Sequence, residues 1–283
     1  MAHKLIPLTL EQHQQVLYEI LYMVDDFCKA HDIPYFLVGG SLLGAVRHQG
    51  IIPWDDDIDI AMTRENYERF LSLFHAEGVE GYELYDYEHV DGYYLPFAKM
   101  AKRDSWTSAW ETHKIHIDIF SYDGCGDNLQ EAQEYFAKKH RAISRFCSMI
   151  TVGVLWWKNF YSWKEYLFYF VVHFFYDIVF HFPVWVFPSR RRQYMHQAYS
   201  VATRYRVSDA KYSACISWGR YGKGEVQPSS SFLILYTMRF GIRDLPVPSG
   251  WHAYLTGIYG DYMTEEPENK RHHHLKEGAF LVV

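Results

Sequence analysis

At 283 residues the chain is long enough for one large domain, or for a catalytic domain with a helical addition. A 49% hydrophobic content supplies ample core and the 18% aromatic share is unusual, while a net charge of -6 argues against a general nucleic-acid binder, which needs a basic excess to displace counterions. Four scattered cysteines (Cys28, Cys125, Cys147 and Cys215) form no C-x-x-C pair and read as free thiols of a reducing compartment, and residues 1–10 lack the apolar run of a signal peptide, so a cytoplasmic location is expected.

In chain order, Thr9 with Gln12 resembles a capping box, and Leu10, Leu17, Leu21, Val24 and Cys28 share one helical face, which predicts an amphipathic helix over 10–30. HDIP breaks it, Tyr35–Val38 reads as a short strand, Gly39-Gly40 as a tight turn and Ser41–His48 as a short helix. Pro53 and Trp54 lead into an acidic strand at about 56–62, and Arg64–His75 reads as a second amphipathic helix with Tyr67, Phe70, Leu71 and Phe74 inward. Strands are predicted at Tyr82–Tyr87, Tyr94–Lys102 and Ile115–Phe120. SYDGCGDN reads as a loop and Leu129–Met149 as a helix capped by Asp127 or Asn128. Beyond a helix through Arg190–Tyr205 and an irregular ISWGRYGKGE come a strand-like RFGIRDLPVP, a helix near Gly250–Tyr259 and a polar end.

Tyr166–Phe187 is long enough to span a bilayer, which takes about 20 apolar residues, yet it carries His173, Asp177, His181 and Pro183. Its Trp and Tyr content and the following Arg190-Arg191-Arg192 suit the headgroup region of an anionic membrane. Three readings stay open here: an interfacial hairpin, an aromatic helical pair packed on the protein's own core, and a true span.

The chemistry concentrates in Tyr35–Met62. Asp57 and Asp59 alternate with Ile58 and Ile60, so in a strand the carboxylates share one face and the isoleucines the other. Asp118, in IHIDIF, repeats the apolar–Asp–apolar arrangement. Like charges so close repel unless they are solvated or hold cations. Asp57, Asp59 and Asp118 meet the need of two-metal phosphoryl transfer for bridging carboxylates, and the all-oxygen set suits Mg²⁺, with Mn²⁺ as the alternative. The turn at Gly40 and Ser41 offers backbone N–H groups and a helix N-terminus to phosphate oxygens. An EF-hand starting at Asp55 would need Gly and Glu where Ile60 and Asn66 stand, no P-loop follows Gly39, and Ser41 replaces the second glycine of G-x-G-x-x-G. A solvated acidic loop is the bland alternative.

GGSLLGAVRHQGIIPWDDDIDIAM, HIDIFSYDG and YGDYMTEEPENKRHHH resemble the LicD family of phosphocholine transferases, relatives of the fukutin-type sugar-alcohol phosphate transferases. The resemblance covers about residues 10–125 plus a C-terminal patch. It implies an α+β, polymerase-beta-like nucleotidyltransferase fold, a mixed sheet flanked by helices, here with an aromatic-rich helical insertion. By position it implies Gly40 and Ser41 as the turn, Asp57 and Asp59 as the metal pair, Asp118 as the third carboxylate and Asp55 as an additional acidic ligand. The implied reaction moves phosphocholine from CDP-choline to a hydroxyl of a cell-surface glycan such as teichoic acid or lipopolysaccharide, with release of CMP.

Arg47 and Lys99 are candidates for the donor's phosphates, and Trp54, Tyr93, Tyr94, Trp106 and Trp110 for a quaternary ammonium. Asp261 would line the site or cap a turn, and His272-His273-His274 looks like a metal ligand set. The expected organisation is a catalytic core at 1–125, a helical region at 126–206 with its membrane-proximal stretch at 150–187, and a part completing the catalytic domain at 207–283. Two rivals are a nucleotidyltransferase releasing pyrophosphate and an inactive glycan- or membrane-binding module.

Overall fold

The computed structural model describes residues 5–90, 93, 95–107, 112–155, 204–265, 267 and 278–282. Helix α1 (Leu10–Ala30) opens on the predicted capping box: Thr9 Oγ1 accepts the Gln12 N–H at 3.2 Å, and Gln12 Oε1 accepts the Thr9 N–H at 2.9 Å. Its stripe of Val16, Leu17, Ile20, Leu21, Val24 and Phe27 is buried. Phe27 meets Phe70 and Phe74 of α3 (Arg64–Glu77) at ring separations of 5.6 and 5.2 Å, so the two helices pack side by side as their apolar spacing requires.

The central sheet runs β2 (Phe36–Leu37), β3 (Asp59–Thr63), β7 (His116–Gly126), β5 (Ala98–Lys102), β4 (Tyr82–Tyr85), with β8 (Tyr212–Ala214) and β9 (Gln227–Pro228) continuing from the far half of β7. It is a mixed sheet: β3 and β7 are parallel and the other pairings are antiparallel. A second sheet joins β1 (Leu5–Leu8), β12 (Ala279–Val282) and β6 (Ser105–Thr107), and β10 (Leu235–Phe240) with β11 (Arg243–Pro248) forms a hairpin. Helices α2 (Gly39–His48), α4 (Leu129–Leu155), α5 (Ser230–Leu233) and α6 (Trp251–Tyr259) complete the described mixed α/β architecture.

The two faces of the sheet take different partners. Ile117, Ile119, Ser121 and Asp123 of β7 are buried, and Asp123 takes a bidentate clasp from the buried Arg64 of α3: Nε to Oδ1 at 2.9 Å and Nη2 to Oδ2 at 2.8 Å. On the alternate positions, Tyr122 packs on Phe36 and Phe232, and Phe120 on Phe97. The C-terminal residues therefore lie on the face of β7 that also carries Asp118.

Several boundaries differ from the sequence reading. SYDGCG is not a loop but the second half of β7, because β8 pairs with it and Asp123 is neutralised by Arg64. RFGIRDLPVP splits into a hairpin where Gly241, at φ +66°, reverses the chain. The acidic strand begins only at Asp59, and the strand predicted from Tyr94 begins at Ala98. Helix α4 starts as predicted, with Asn128 Oδ1 accepting the N–H groups of Gln130 and Glu131, but runs to Leu155. The aromatic stretch Tyr166–Phe187 and most of the Arg190–Tyr205 helix lie outside the described residues. Among the described residues no helix is long and apolar enough to cross a membrane.

Candidate active site

The parallel β3–β7 pair sets Asp59 directly opposite Asp118, and β5 sets Lys99 opposite Asp118 on the other side. Ile58, Ile60, Ile117 and Ile119 are almost wholly buried, and their alternation turns the intervening carboxylates to the other face. The Asp118 N–H bonds to Ile58 O at 2.9 Å, which extends the register to the residue beside Asp57. Lys99 Nζ donates to Asp118 Oδ1 at 2.7 Å although the lysine is only 5% exposed. The same nitrogen stands 2.8 Å from His116 Nε2, while His116 Nδ1 is 2.8 Å from Lys114 O. A carbonyl only accepts, so Nδ1 carries the ring proton and Nε2 accepts from the ammonium.

Gly39 and Gly40 open α2 against the acidic group. Gly39 has φ +54°, in the left-handed region, and a Cβ there would stand 3.1 Å from Asp59 Oδ2. A Cβ on Gly40 would stand 3.1 Å from Asp55 Oδ2. The glycines thus admit the chain's own carboxylates to the start of a helix whose first N–H groups have no intrahelical acceptor. Gly39 and Gly40 are the first residues of α2 rather than a separate tight turn before it, and Ser41 Oγ accepts the Asp59 N–H at 2.8 Å, which ties the helix start to the head of β3.

These carboxylates load each other electrostatically. Burial, then the charges of Asp57, Asp118 and Asp55, push Asp59 well above the ordinary carboxylate range, with Lys99 opposing. Burial raises Asp55 to about 6, against hydrogen bonding with Asp57 and the Asp56 N–H. Carboxylates that cannot all ionise unaided are a donor set that a hard divalent cation would stabilise, and Asp55, Asp57, Asp59 and Asp118 could supply its oxygens.

The other predicted site residues spread more widely. Arg47 sits at the far end of α2, about 12 Å along the axis from Gly39 by helical rise, where it donates to Tyr262 O at 3.2 Å. Trp54 packs edge-on to His48, and Trp106 lies in the β1–β12–β6 sheet on Phe280. Tyr93 is buried with its hydroxyl on Phe97 O, a core role. Asp261 accepts from Thr264 Oγ1 at 2.7 Å and caps a turn. Tyr94, Trp110 and His272-His273-His274 lie outside the described residues.

Residues that sequence reasoning missed border the acidic group. Tyr221 and Tyr259 hydroxyls are 3.0 Å apart, and Tyr259 Oη would lie 3.9 Å from a Cβ on Gly39. Burial raises the Tyr259 hydroxyl well above its ordinary value, with Tyr221 and Asp59 adding to the effect. Trp218 packs at 4.9 Å on Phe97, whose ring lies 5.3 Å from Lys99 Nζ, and Trp218 and Tyr221 remain 38% and 42% exposed. Their signal in the sequence was the SWGRYG run, which has no periodicity to mark it.

Comparison with known proteins follows the same residues. The family model described as LicD/FKTN/FKRP, nucleotidyltransferase domain, matches residues 32–151, which hold the turn and all the acidic positions. The lipopolysaccharide cholinephosphotransferase LicD of Haemophilus influenzae is 31% identical over 97% of this chain and 99% of its own length. The human ribitol 5-phosphate transferase FKRP is 32% identical over 33% of this chain and 18% of its own. Similarity that runs the length of both proteins, with the acidic motifs inside it, identifies the chain as a member of the LicD family.

Proposed function

We propose that the protein is a divalent-metal-dependent transferase that moves phosphocholine, or a related phosphoalkyl group, from a CDP-linked donor to a hydroxyl of a cell-surface glycan such as teichoic acid, lipopolysaccharide or a capsule precursor. The observation that carries the reading is the convergence of Asp55, Asp57, Asp59 and Asp118 beside the Gly39-Gly40 helix start and the Lys99 ammonium. The whole-length relative's name supports the phosphocholine group and a glycan acceptor, and FKRP's supports the wider phosphoalkyl class.

Asp55, Asp57, Asp59 and Asp118 would hold Mg²⁺ or Mn²⁺, which when bound offsets the charge of the donor's pyrophosphate. The N–H groups at Gly40 and Ser41 take phosphate oxygens, and Lys99 adds a buried positive charge beside them. The acceptor oxygen attacks the choline-bearing phosphorus, its bond to CMP breaks, and the hydroxyl proton passes to an Asp118 oxygen. Trp218 and Tyr221 offer exposed aromatic faces for a quaternary ammonium, in place of Trp106, which lies in the β1–β12–β6 sheet.

A polymerase-beta-like fold, with residues 1–125 as core, 126–206 as a helical region and 207–283 completing the site, belongs to this reading. So does an aromatic stretch at 150–187 that holds the enzyme at the inner face of the cell membrane. Incubation with a panel of CDP-linked donors and Mg²⁺ tests the proposal. CMP release that depends on acceptor and is lost in Asp118→Ala is expected, whereas pyrophosphate released from a nucleoside triphosphate supplied in place of those donors would make the enzyme a nucleotidyltransferase.

A further inference from the structure

A second cluster of metal-ligating side chains stands at the end of α3 and in the turn after β4. Asp86 is fully buried, and both its oxygens are engaged by imidazoles: His75 Nε2 lies 2.6 Å from Oδ2, and His89 Nδ1 lies 2.9 Å from Oδ1. The two rings stack at 3.9 Å with 25° between their planes, so their nitrogens present to the same carboxylate side by side. The N–H groups of Glu88 and His89 also bond to Asp86 Oδ1, at 2.9 and 3.1 Å, and fix the carboxylate's direction independently of the rings.

We propose that His75, Asp86 and His89 form a Zn²⁺-class metal site, separate from the acidic group. One ligand atom from each residue lies within 4.8 Å of the others. Ligands on a tetrahedral Zn²⁺ at about 2.0 Å stand roughly 3.3 Å apart; His75 Nε2 and His89 Nδ1 stand 2.6 and 3.1 Å from Asp86 Oδ2, so each nitrogen reaches that separation from the carboxylate by moving less than about 1 Å. Two nitrogens and one oxygen suit a borderline-soft ion rather than Mg²⁺, which distinguishes this site from the all-oxygen group. The partial exposure of both histidines leaves a side open for a fourth, water ligand. The site would fasten the end of α3 to the turn after β4, the start of the connection that leads to Tyr93, Phe97 and Lys99.

Zn²⁺ titration of the full chain in excess Mg²⁺, by calorimetry, tests this. Wild type and Asp57→Ala are expected to take up the same Zn²⁺ equivalent, and His75→Ala and His89→Ala each to weaken it at least about 100-fold. Co²⁺ substitution provides a second readout that does not require those variants to fold. The protein with His272, His273 and His274 all changed to Ala should still show the strong visible band of a nitrogen-ligated tetrahedral ion. Unchanged Zn²⁺ uptake in His75→Ala, or no band in the His272–His274 variant, would overturn the site and leave a hydrogen-bonded clasp only.

Discussion

Asp59 and Asp118 face each other across a parallel strand pair, and the ammonium of Lys99 is bonded to the second of them from the next strand. A pair held by backbone register cannot move apart to relieve its repulsion. Asp59→Asn removes one charge while keeping the shape. It is therefore expected to melt higher than wild type in chelator, yet to lose at least about 1000-fold in CMP release with Mg²⁺, as expected when a charge-stabilising group is lost. Thermal melts and a CMP assay on the same preparation check both halves. A variant that lost stability in chelator would refute the electrostatic picture.

Lys99→Met should lower activity by about 100-fold and destabilise the metal-free protein, because Asp118 loses its buried partner. Added Mg²⁺ supplies positive charge, so the gap in melting temperature between chelator and Mg²⁺ should be wider in Lys99→Met than in wild type. Equal gaps would show that Lys99 does not neutralise the carboxylates.

Arg64→Ala leaves Asp123 buried without its bidentate partner and should cost about 3–5 kcal/mol of stability. Arg64→Met with Asp123→Leu removes both charges and should recover most of the loss. Urea denaturation of the three proteins measures it.

Glu225 is 4% exposed, and burial pushes its carboxyl up to about 7. A carboxyl whose folded value is raised keeps its proton in the folded state after the unfolded chain has released it. Its contribution is thus intact below the unfolded value near 4.5 and declines as pH rises to about 7, by about 3 kcal/mol in all. Glu225→Gln should flatten that decline. Melting temperatures from pH 5 to pH 8 that fall equally in both proteins would contradict the assignment.

Gly39→Ala combines a left-handed backbone with a Cβ at 3.1 Å from Asp59 Oδ2. About 1–2 kcal/mol of backbone strain is expected, with weakened Mn²⁺ binding as the carboxylate is displaced. Titration followed by electron paramagnetic resonance reads the second effect directly.

The acidic positions were legible because their chemistry is local: the two-residue alternation of Asp57, Ile58, Asp59 and Ile60 survives as alternating exposure even where regular strand begins only at Asp59. The capping box of α1 was legible for the same reason. Lys99 was chosen for its nearness to the motifs along the chain, yet its contact with Asp118 is set by the β5–β7 register, which no local pattern encodes. Trp218, Tyr221 and Tyr259 went unseen because they reach the site from about 160 to 200 positions downstream of Asp59, on a turn and on the last residue of a helix. Trp54 and Trp106 are equally aromatic, and their places against His48 and Phe280 are set by packing that no local pattern encodes.

The distance along the chain between Asp59 and Tyr259 also has a consequence for synthesis. At about 5–20 residues per second, a ribosome takes roughly 10–40 s to pass from the acidic strand to the tyrosine that stands beside it. Once β7 is complete at Gly126, β3, β5 and β7 are available to pair, well before Tyr221, Tyr259 and the Arg243 that joins the buried Asp25 of α1 have been made. A nascent chain ending near residue 151 holds Asp55, Asp57, Asp59 and Asp118 and lacks that wall of the site. Cations that reach the carboxylates early would therefore stabilise a half-built enzyme, and the C-terminal residues would close over a centre already charged.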